Sequence, residues 1–567
     1  MTPSESFKIT SNDYADFIID YIRNEDFFNN YRDVSYNIID EQFAVVHLPV
    51  SNMTYNAVYK FGYLSIPKCY GLMSSENTDS NYYIHRLANY NNTGSGVIIG
   101  IIDGGMDYRN PVFRYPNNTT KIISIWDQSI ESGSYPEELY YGTEYSREQI
   151  NAALNSENPL SVVPSVEEGG QGTSVAGMAA GFYSGQNIFF SGTAPNAEIV
   201  SVKLKKAKPY LKDFFGLTAA DLCFQENDIM MGIKYLLNVA GRLQRPIVIC
   251  ISVGSWQGSH NGENYISQYI TNVGEINGVA VTAGAGEEGN RNLHYYGEVT
   301  DPDYYQLVEF HAGVNQQNIT MELWGYAPNI LVVGIIAPSG EFIYQTSYTL
   351  IPPDTAVVTY NDTIIYVDNR TQEPHAGDQL ILIRFMNIEE GMWRLAVSGT
   401  NLQNGFHIWF PMHQFVNEDT YILNADTYTT ISEPGNTPNL ITVTSYNPRG
   451  DELFYYASRG YTRVNVRKPD IAAPGVNILV PAGENSFLPF TGSSIAAGYT
   501  AGVIARLLEW AIVDGNLPVI NNILVRYLLT YSAMRSNSIS YPNREWGFGI
   551  LNESTIENIV TGINVNF

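Results

Sequence analysis

The sequence predicts an α/β fold, a parallel sheet flanked by helices, with an all-β region inserted late in the chain. Apolar runs of strand length, at residues 96–102 and 246–252, alternate with a helical pattern at residues 228–237. Such alternation is typical of parallel sheets that are buried on both faces. Between about residues 296 and 431 the pattern changes to short alternating strands, for example at 330–336, which predicts an inserted jelly roll.

Length and composition limit the class of protein. The 567 residues are enough for two or three domains. A formal net charge of -26 leaves no basic patch for phosphates, so nucleic acid is not expected as a partner. Three widely separated cysteines indicate neither a disulfide framework nor a zinc site, and no metal or cofactor is predicted. The N-terminus lacks the features of a secretory signal and no apolar stretch is long enough to span a bilayer, so we expect a soluble protein made in the cytoplasm.

The order of these patterns predicts four segments. In the first, an α+β unit, Tyr14–Ile22 has apolar residues at helical spacing and predicts an amphipathic helix, whereas Phe43–Val50 predicts a strand. The α/β pattern is interrupted by the all-β insertion and then resumes. The expected segments are 1–80, 81–295, 296–431 and 432–567.

Ser494 is the candidate nucleophile. It follows small residues and directly precedes a helix rich in alanine and glycine, which is how a reactive serine is presented. The first turn of such a helix offers unpaired backbone N–H groups and the positive end of the helix dipole, and both favour an oxyanion. Asp103 ends the apolar run at 96–102 and is therefore expected at the carboxyl edge of the sheet.

Several motifs, in this order, resemble those of the subtilisin-type serine proteases over residues 95–290 and 435–555. They are the aspartate motif at 101–107, the histidine motif at 172–177, the segments at 192–197 and 468–475, and the serine motif at 490–502. The phrases at 66–72, 123–128 and 141–145 are similar to those of the Csp group, the clostridial germination-specific subtilases. That resemblance implies that residues 1–80 are a prodomain and that the insertion is a jelly roll.

The resemblance also implies a role in spores. Active members of the Csp group cleave the proenzyme of a cortex-degrading hydrolase during germination. Inactive members regulate that step or take part in sensing germinants. The state of the catalytic residues therefore decides which role is expected.

The first departure from the family pattern is at the general base. The motif reads Glu167-Glu168-Gly169-Gly170-Gln171-Gly172-Thr173, so Gln171 stands where the family has the triad histidine. A glutamine amide cannot accept a proton near neutral pH, so Ser494 has no base. For a subtilisin, loss of the triad histidine lowers turnover by about 10⁶.

The second departure is at the oxyanion hole. The motif at 283–290 aligns Glu287 with the asparagine that donates to the oxyanion in the family. An ionised carboxylate only accepts hydrogen bonds and would repel the oxyanion. Loss of this asparagine in a subtilisin costs about 10² to 10³ in turnover. We therefore expect Asp103, Gln171 and Ser494 to be a degenerate triad, and Gln171→His alone to restore little activity.

Alternative interpretations of these residues remain. Another histidine, with His260 and His294 as the first candidates, would rescue catalysis if it reached Ser494. Glu167 and Glu168 beside Glu287 would suit a metal or glycosidase site, although solvated loop acids are commoner in so acidic a chain. With Gln171 opposite it, Asp103 would be a buried structural acid, and Ser494 would be a packing serine at a helix start. The jelly roll would be a rigidifying element or a binding site for carbohydrate or a partner.

The sequence therefore predicts a spore protein that binds rather than cleaves. We expect a pseudoprotease with a retained prodomain, whose partner is an active Csp-type protease or its proenzyme substrate, with a small-molecule germinant as a further ligand. The alternative is an active serine endopeptidase that uses a noncanonical base.

Overall fold

The structure is a computed structural model that describes residues 5–22, 24, 28, 34–76, 81–86, 91–185, 188–217, 220–301, 304–348, 355–400, 405–483, 485–553 and 559. The predicted segment boundary at residue 80 lies outside the described residues. The architecture is a central parallel sheet with helices, preceded by a small N-terminal unit and interrupted by an all-β unit.

The central sheet has nine strands, and all pairs except those at the two edges are parallel. In spatial order the strands are Glu452–Leu453, Ile441–Asn447, Val279–Gly284, Ile247–Ile251, Ile98–Asp103, Glu198–Lys203, Ile122–Asp127 and Thr143–Ser146, and Ile471–Pro474 also pairs with Ile441–Asn447. The inner strands are continuously buried, which confirms the prediction of a parallel sheet covered on both faces.

Helices pack on the central sheet, and two short ones lie in the N-terminal unit. Over the described residues they are Phe7–Thr10, Ala57–Phe61, Arg147–Leu154, Gly172–Ala180, Pro209–Phe214, Glu226–Leu243, Tyr265–Val273, Ser493–Leu508 and Asn522–Ser532, and a π-helical turn at Glu509–Val513 extends the Ser494 helix. The combined helix Ser493–Val513 is long and apolar enough to cross a membrane by length and composition, but 89% of its most apolar window is buried inside the protein. It is the central core helix of the fold.

The N-terminal unit is built on an antiparallel sheet of Tyr14–Asp20, Phe43–Pro49 and Ser35–Ile38. The predicted helix at Tyr14–Ile22 is therefore wrong. Ala15, Asp16, Phe17 and Ile18 are buried in succession, because both faces of this strand are covered. A strand buried on both faces loses the alternation of period two, and here the remaining apolar spacing resembled that of a helix.

The insertion is an all-β unit of two antiparallel sheets, as predicted. One has the order His294–Glu298, Gly405–Trp409, Asn318–Gly325, Gln379–Met386, Thr363–Arg370 and Ala356–Tyr360, and the other Phe342–Gln345, Leu331–Ile336, Gly391–Gly399, Gln306–Ala312 and Tyr421–Ile422. Their inner faces pack through Phe310, Phe385 and Trp393, which are buried and in mutual ring contact.

Three short sheets complete the described strands. Two of them surround the site: Phe224–Gln225, Cys69–Leu72 and Val253–Gly254 form one, and Ile478–Ala482, Ser486–Gly492 and Ser74–Glu76 form the other. Phe182–Ser184 and Phe189–Ser191 form a separate hairpin. Residues 69–76 thus pass from one sheet to the other, and we call them the cleft segment.

Candidate active site

The fold brings the predicted site residues to one edge of the central sheet. Asp103 is the last residue of the strand Ile98–Asp103, and Glu287 follows the strand Val279–Gly284. Gln171 directly precedes the helix Gly172–Ala180, and Ser494 is the second residue of its own helix. All four are buried. Ligand sites in open α/β sheets form at this carboxyl edge.

Gln171 is held by a complete set of hydrogen bonds. Its Nε2 donates to Asp103 Oδ2 at 2.7 Å and to the Ser252 carbonyl at 2.8 Å. Its Oε1 accepts from the backbone N–H of Met73 and from Ser74 Oγ, both at 2.9 Å. An amide offers two donors and one oxygen with two lone pairs, so every hydrogen-bonding position of the side chain is used. Gln171 links Asp103 to the cleft segment.

Asp103 is an acceptor in this network. Its Oδ1 accepts from the Gly104 N–H at 2.6 Å, and its Oδ2 accepts from both Gln171 and Ser252 Oγ. Burial raises the pKa of Asp103 to about 6, although these three hydrogen bonds favour the ionised form. A histidine in place of Gln171 would meet a carboxylate already oriented towards it.

Gly172 allows this close approach. A Cβ at this position would collide with the Gly105 carbonyl oxygen and lie against the Asp103 side chain. The glycine after Gln171 therefore lets the helix approach the aspartate motif closely.

Ser494 contacts a peptide bond of the chain itself. Its backbone N–H donates to the Met73 carbonyl oxygen at 3.2 Å, and its Oγ donates to the same oxygen at 3.1 Å. A serine hydroxyl that attacks must lose its proton to a base and point its lone pair at the carbonyl carbon. Here the hydroxyl group donates to the carbonyl oxygen of the Met73–Ser74 bond rather than to a base.

The cleft segment is bound on both sides of that peptide bond. Upstream, Leu72 and Gly71 pair antiparallel with Val253 and Gly254, and downstream Ser74–Glu76 pairs with Phe490–Gly492. The Met73 side chain is buried against Gly254, where a Cβ would collide with its sulfur. The segment therefore lies across the site as an extended strand, in the way that a peptide is bound by strand addition.

Glu287 lies beside the same carbonyl group. Its Oε1 accepts from the Ser493 N–H at 3.0 Å, and a Cβ at Gly492 would collide with both this oxygen and the Met73 carbonyl oxygen. The Glu287 Oε1 and the Met73 carbonyl oxygen, which are both acceptors here, therefore lie close together beside Gly492. Burial raises the pKa of Glu287 to about 8, so its neutral form prevails at pH 7. The expectation of an ionised carboxylate thus applies only at alkaline pH.

The histidines considered as substitute bases do not contact Ser494 within the described part of the chain. His260 and His294 are buried and stack on Trp409, with ring centroids 4.0 and 4.9 Å away. Burial lowers the pKa of each to about 3. Both contribute to the packing between the all-β unit and the main domain.

The acidic residues near the histidine motif have structural partners. Glu167 accepts from Thr173 N–H at 2.7 Å and Thr173 Oγ1 at 2.6 Å, at the start of the helix Gly172–Ala180. Glu168 pairs with Lys206 at 2.8 Å. Over the described ranges, no group of three or more His, Cys, Asp or Glu side chains is arranged to hold a metal ion.

Sequence reasoning missed the residues that fill the site. Met73 and Ser74 supply the bound peptide bond, and Ser252 supports both Asp103 and Gln171. The phrase at 66–72 placed this region in a family pattern, but the register that puts Met73 at Ser494 depends on contacts about 420 residues apart in the chain.

Comparison with known proteins defines the family. The model of the peptidase S8, subtilase family matches residues 94–359 and 387–549. The chain belongs to the subtilase family. Among curated protein sequences, none matches the chain significantly. Of solved structures, the Clostridium perfringens CspB protease is similar to this subtilase with 28% identity and a TM-score of 0.74, over 84% of this chain and 96% of that one.

Two further solved structures are similar at lower identity. The prenylagaramide maturation protease PagA has 13% identity and a TM-score of 0.40, over 82% of this chain and 94% of that one. The self-cleaved protease domain of PatA has 14% identity and a TM-score of 0.40, over 83% and 98%. The match to the CspB protease covers nearly all of that chain and agrees with the resemblance of this subtilase to the Csp group.

Proposed function

We propose that this subtilase is a pseudoprotease that acts by binding during spore germination. The observation that carries the proposal is the state of the cleft. Gln171 uses its whole amide as a hydrogen-bonded link, and Ser494 donates its hydroxyl proton to the Met73 carbonyl oxygen. Catalysis by a serine needs a base that removes this proton. Within the described residues, no side chain that could do so is hydrogen-bonded to Ser494.

The retained prodomain is part of the proposal. Because Ser494 has no base among its described hydrogen-bond partners, we expect the Met73–Ser74 bond to stay intact, so that residues 1–80 remain attached and the cleft segment excludes peptide substrates. The protein would then act through its outer surface, in the spore, on an active Csp-type protease or its proenzyme substrate. A small-molecule germinant is a second proposed ligand. The similarity to the CspB protease supports this setting.

Intact mass of the purified chain tests whether it is inactive. We expect the full 63.2 kDa species and no product that begins at Ser74. A serine-directed phosphonate should leave Ser494 unlabelled. Ser494→Ala is the control: cleavage between Met73 and Ser74 in the natural chain, but not in this variant, would show self-processing and contradict the proposal.

Co-purification from spores tests the role. Full-length protein is expected to retain an active Csp-type protease or its proenzyme, identified by mass spectrometry, whereas heat-unfolded protein should retain neither. Absence of both from the folded sample would contradict regulation by binding to these partners.

A further inference from the structure

A cavity lies where the all-β unit meets the main domain, beside the cleft segment. It has a volume of about 310 Å³, at the small end of ligand sites. Leu217 and Ala220 border it on the main-domain side, and two turns of the all-β unit close the other side. Most of its polar lining consists of carboxamide side chains, from Asn315, Gln316, Gln317, Asn318, Gln414 and Asn417.

The chemistry of this lining selects the ligand. A carboxamide and a hydroxyl group can each donate and accept hydrogen bonds, so carboxamides can bind hydroxyl groups in either direction. None of the described lining residues is charged. A charged ligand would lose hydration here without an ionic partner. Leu217 and Phe415 add an apolar surface that suits the C–H face of a sugar ring.

The amides fall into a supporting set and an available set. Gln316 is buried and fully engaged: its Nε2 donates to the Asn318 carbonyl, and its Oε1 accepts from Asn417 N–H at 2.8 Å. It therefore joins the two turns. Asn315 and Gln317 are exposed, and their side-chain amides make no hydrogen bond within the described part of the chain. Gln316 thus holds the turn that carries Asn315 and Gln317, the two lining residues whose amides are unbonded over the described residues.

We propose that this cavity binds a small uncharged molecule rich in hydroxyl groups, of the mono- or disaccharide class. The inference deepens the proposed function and rests on it in one respect, because it gives a place and a chemistry to the proposed small-molecule ligand. Binding itself does not depend on whether the chain is a pseudoprotease.

Gln414 connects the cavity to the cleft segment. Its Nε2 donates to the Leu72 carbonyl at 3.1 Å, and its amide occupies the space where a side chain at Gly71 would lie. Leu72 directly precedes Met73, whose carbonyl group is bound by Ser494. A ligand hydroxyl that takes the Gln414 amide competes for the bond to Leu72. Occupancy of the cavity should therefore loosen the cleft segment.

Calorimetric titration of the full chain tests the binding. The probes are glucose, N-acetylglucosamine and trehalose, with glycine and glutamate as charged comparators. We expect saturable binding of at least one uncharged probe and a loss of affinity of about tenfold or more in Asn315→Ala/Gln317→Ala. The control is Gln345→Ala, an exposed amide on another strand of the same unit, which should bind normally.

The other outcomes overturn the inference. The inference is wrong if none of the uncharged probes binds, or if only the charged probes bind. It is also wrong if the Asn315→Ala/Gln317→Ala variant binds as tightly as the natural chain. Hydrogen exchange of residues 69–76 gives a second readout: the bound sugar should accelerate exchange there, and unchanged exchange with bound sugar would contradict the link through Gln414. Intact mass is measured on the same samples, so that self-cleavage, which contradicts the proposed function, is distinguished from failure to bind.

Discussion

Two buried side chains at the site, Gln171 and Glu287, make hydrogen bonds on either side of the Met73–Ser74 peptide bond. Gln171 bonds both Asp103 and the backbone of Met73, and Glu287 holds the Ser493 N–H next to the same peptide bond. Neither residue leaves a vacancy where the family has a histidine or an asparagine. Substitutions that introduce the histidine and the asparagine must therefore break existing hydrogen bonds as well as supply a base and a donor.

Gln171→His alone is expected to produce little cleavage of the Met73–Ser74 bond. The new base would meet Asp103, but Glu287 Oε1 would still present an acceptor where the oxyanion needs a donor. Adding Glu287→Asn should raise the cleavage rate by about 10² or more. Intact mass over time measures both variants. Adding Ser494→Ala to the double variant must abolish cleavage, and rapid cleavage in Gln171→His alone would show that Glu287 does not oppose the reaction.

Glu287→Gln is expected to stabilise the protein at alkaline pH. The pKa of the folded carboxyl is raised from 4.5 to about 8, so the unfolded chain releases its proton first and the free energy of unfolding falls between these values. The amide keeps an acceptor for the Ser493 N–H and cannot ionise. The variant should exceed the natural chain by at least about 2 kcal/mol at pH 8 and by little at pH 4.

Urea unfolding at both pH values measures this difference. Glu288→Gln is the matched control at the neighbouring residue. The Glu288 carboxylate accepts from His413 N–H at 3.1 Å and contacts His413 Nδ1 at 2.8 Å, so this change should destabilise the protein. Burial lowers the pKa of His413, but Glu288 raises it by more. An advantage of Glu287→Gln that does not depend on pH would contradict the assignment.

At the scale of elements, the strand Tyr14–Asp20 anchors the N-terminal unit to the main domain. Asp16 Oδ1 accepts from Lys208 Nζ at 2.8 Å and contacts His47 Nδ1 at 2.7 Å, while its backbone N–H donates to Tyr210 Oη at 2.9 Å. Burial alone would raise the pKa of Asp16, but Lys208 and His47 lower it well below its usual range. The contacts of Asp16 near the start of the N-terminal unit and those of the cleft segment at its end therefore both attach this unit to the main domain.

Asp16→Ala should weaken that anchor strongly. It leaves Lys208 buried without its ionic partner, at a cost of about 3 kcal/mol in the free energy of unfolding. Because the folded pKa of Asp16 is lowered, its contribution is present above pH 4 and should fade as the pH falls. Urea unfolding at pH 7 and at pH 3 measures this trend. Asp13→Ala, at an exposed position nearby, should change stability little, and equal effects of both variants would contradict the anchor.

At the scale of the whole molecule, Arg384 joins three parts of the chain. It lies in the all-β unit, where its Nη2 donates to Asp368 Oδ2 at 3.0 Å. The same nitrogen donates to the Tyr55 carbonyl of the N-terminal unit at 2.5 Å, and the guanidinium lies 4.0 Å from the ring centroid of Phe214 in the main domain. The three parts therefore pack as one body around a buried charge.

Arg384→Met is expected to lower the free energy of unfolding by about 3 kcal/mol, because Asp368 becomes a buried charge without an ionic partner. Adding Asp368→Asn should recover part of this loss. Arg394→Met is the control, since its ion pair with Glu309 is one-third exposed and should contribute less than about 1 kcal/mol. Thermal and urea unfolding compare the variants. Equal losses at both arginines would contradict the special role of Arg384.

The sequence by itself determined the α/β fold and the all-β insertion, and it predicted the four residues that the fold brings together at the carboxyl edge of the sheet. Apolar runs and motifs are local, so they can be recognised without knowing which parts of the chain meet. It misassigned Tyr14–Ile22, because burial on both faces of a strand erases the alternation that identifies strands.

Only the tertiary structure decided what those residues contact and how deeply they are buried. The register that lays Met73 on Ser494, the burial that raises the pKa of Glu287, and the four bonds of Gln171 all join segments far apart in sequence. Such contacts depend on how elements pack, and desolvation depends on everything that surrounds a group. Residue identity alone therefore predicted a missing base, while packing showed that residues 69–76 of the chain itself lie across the site.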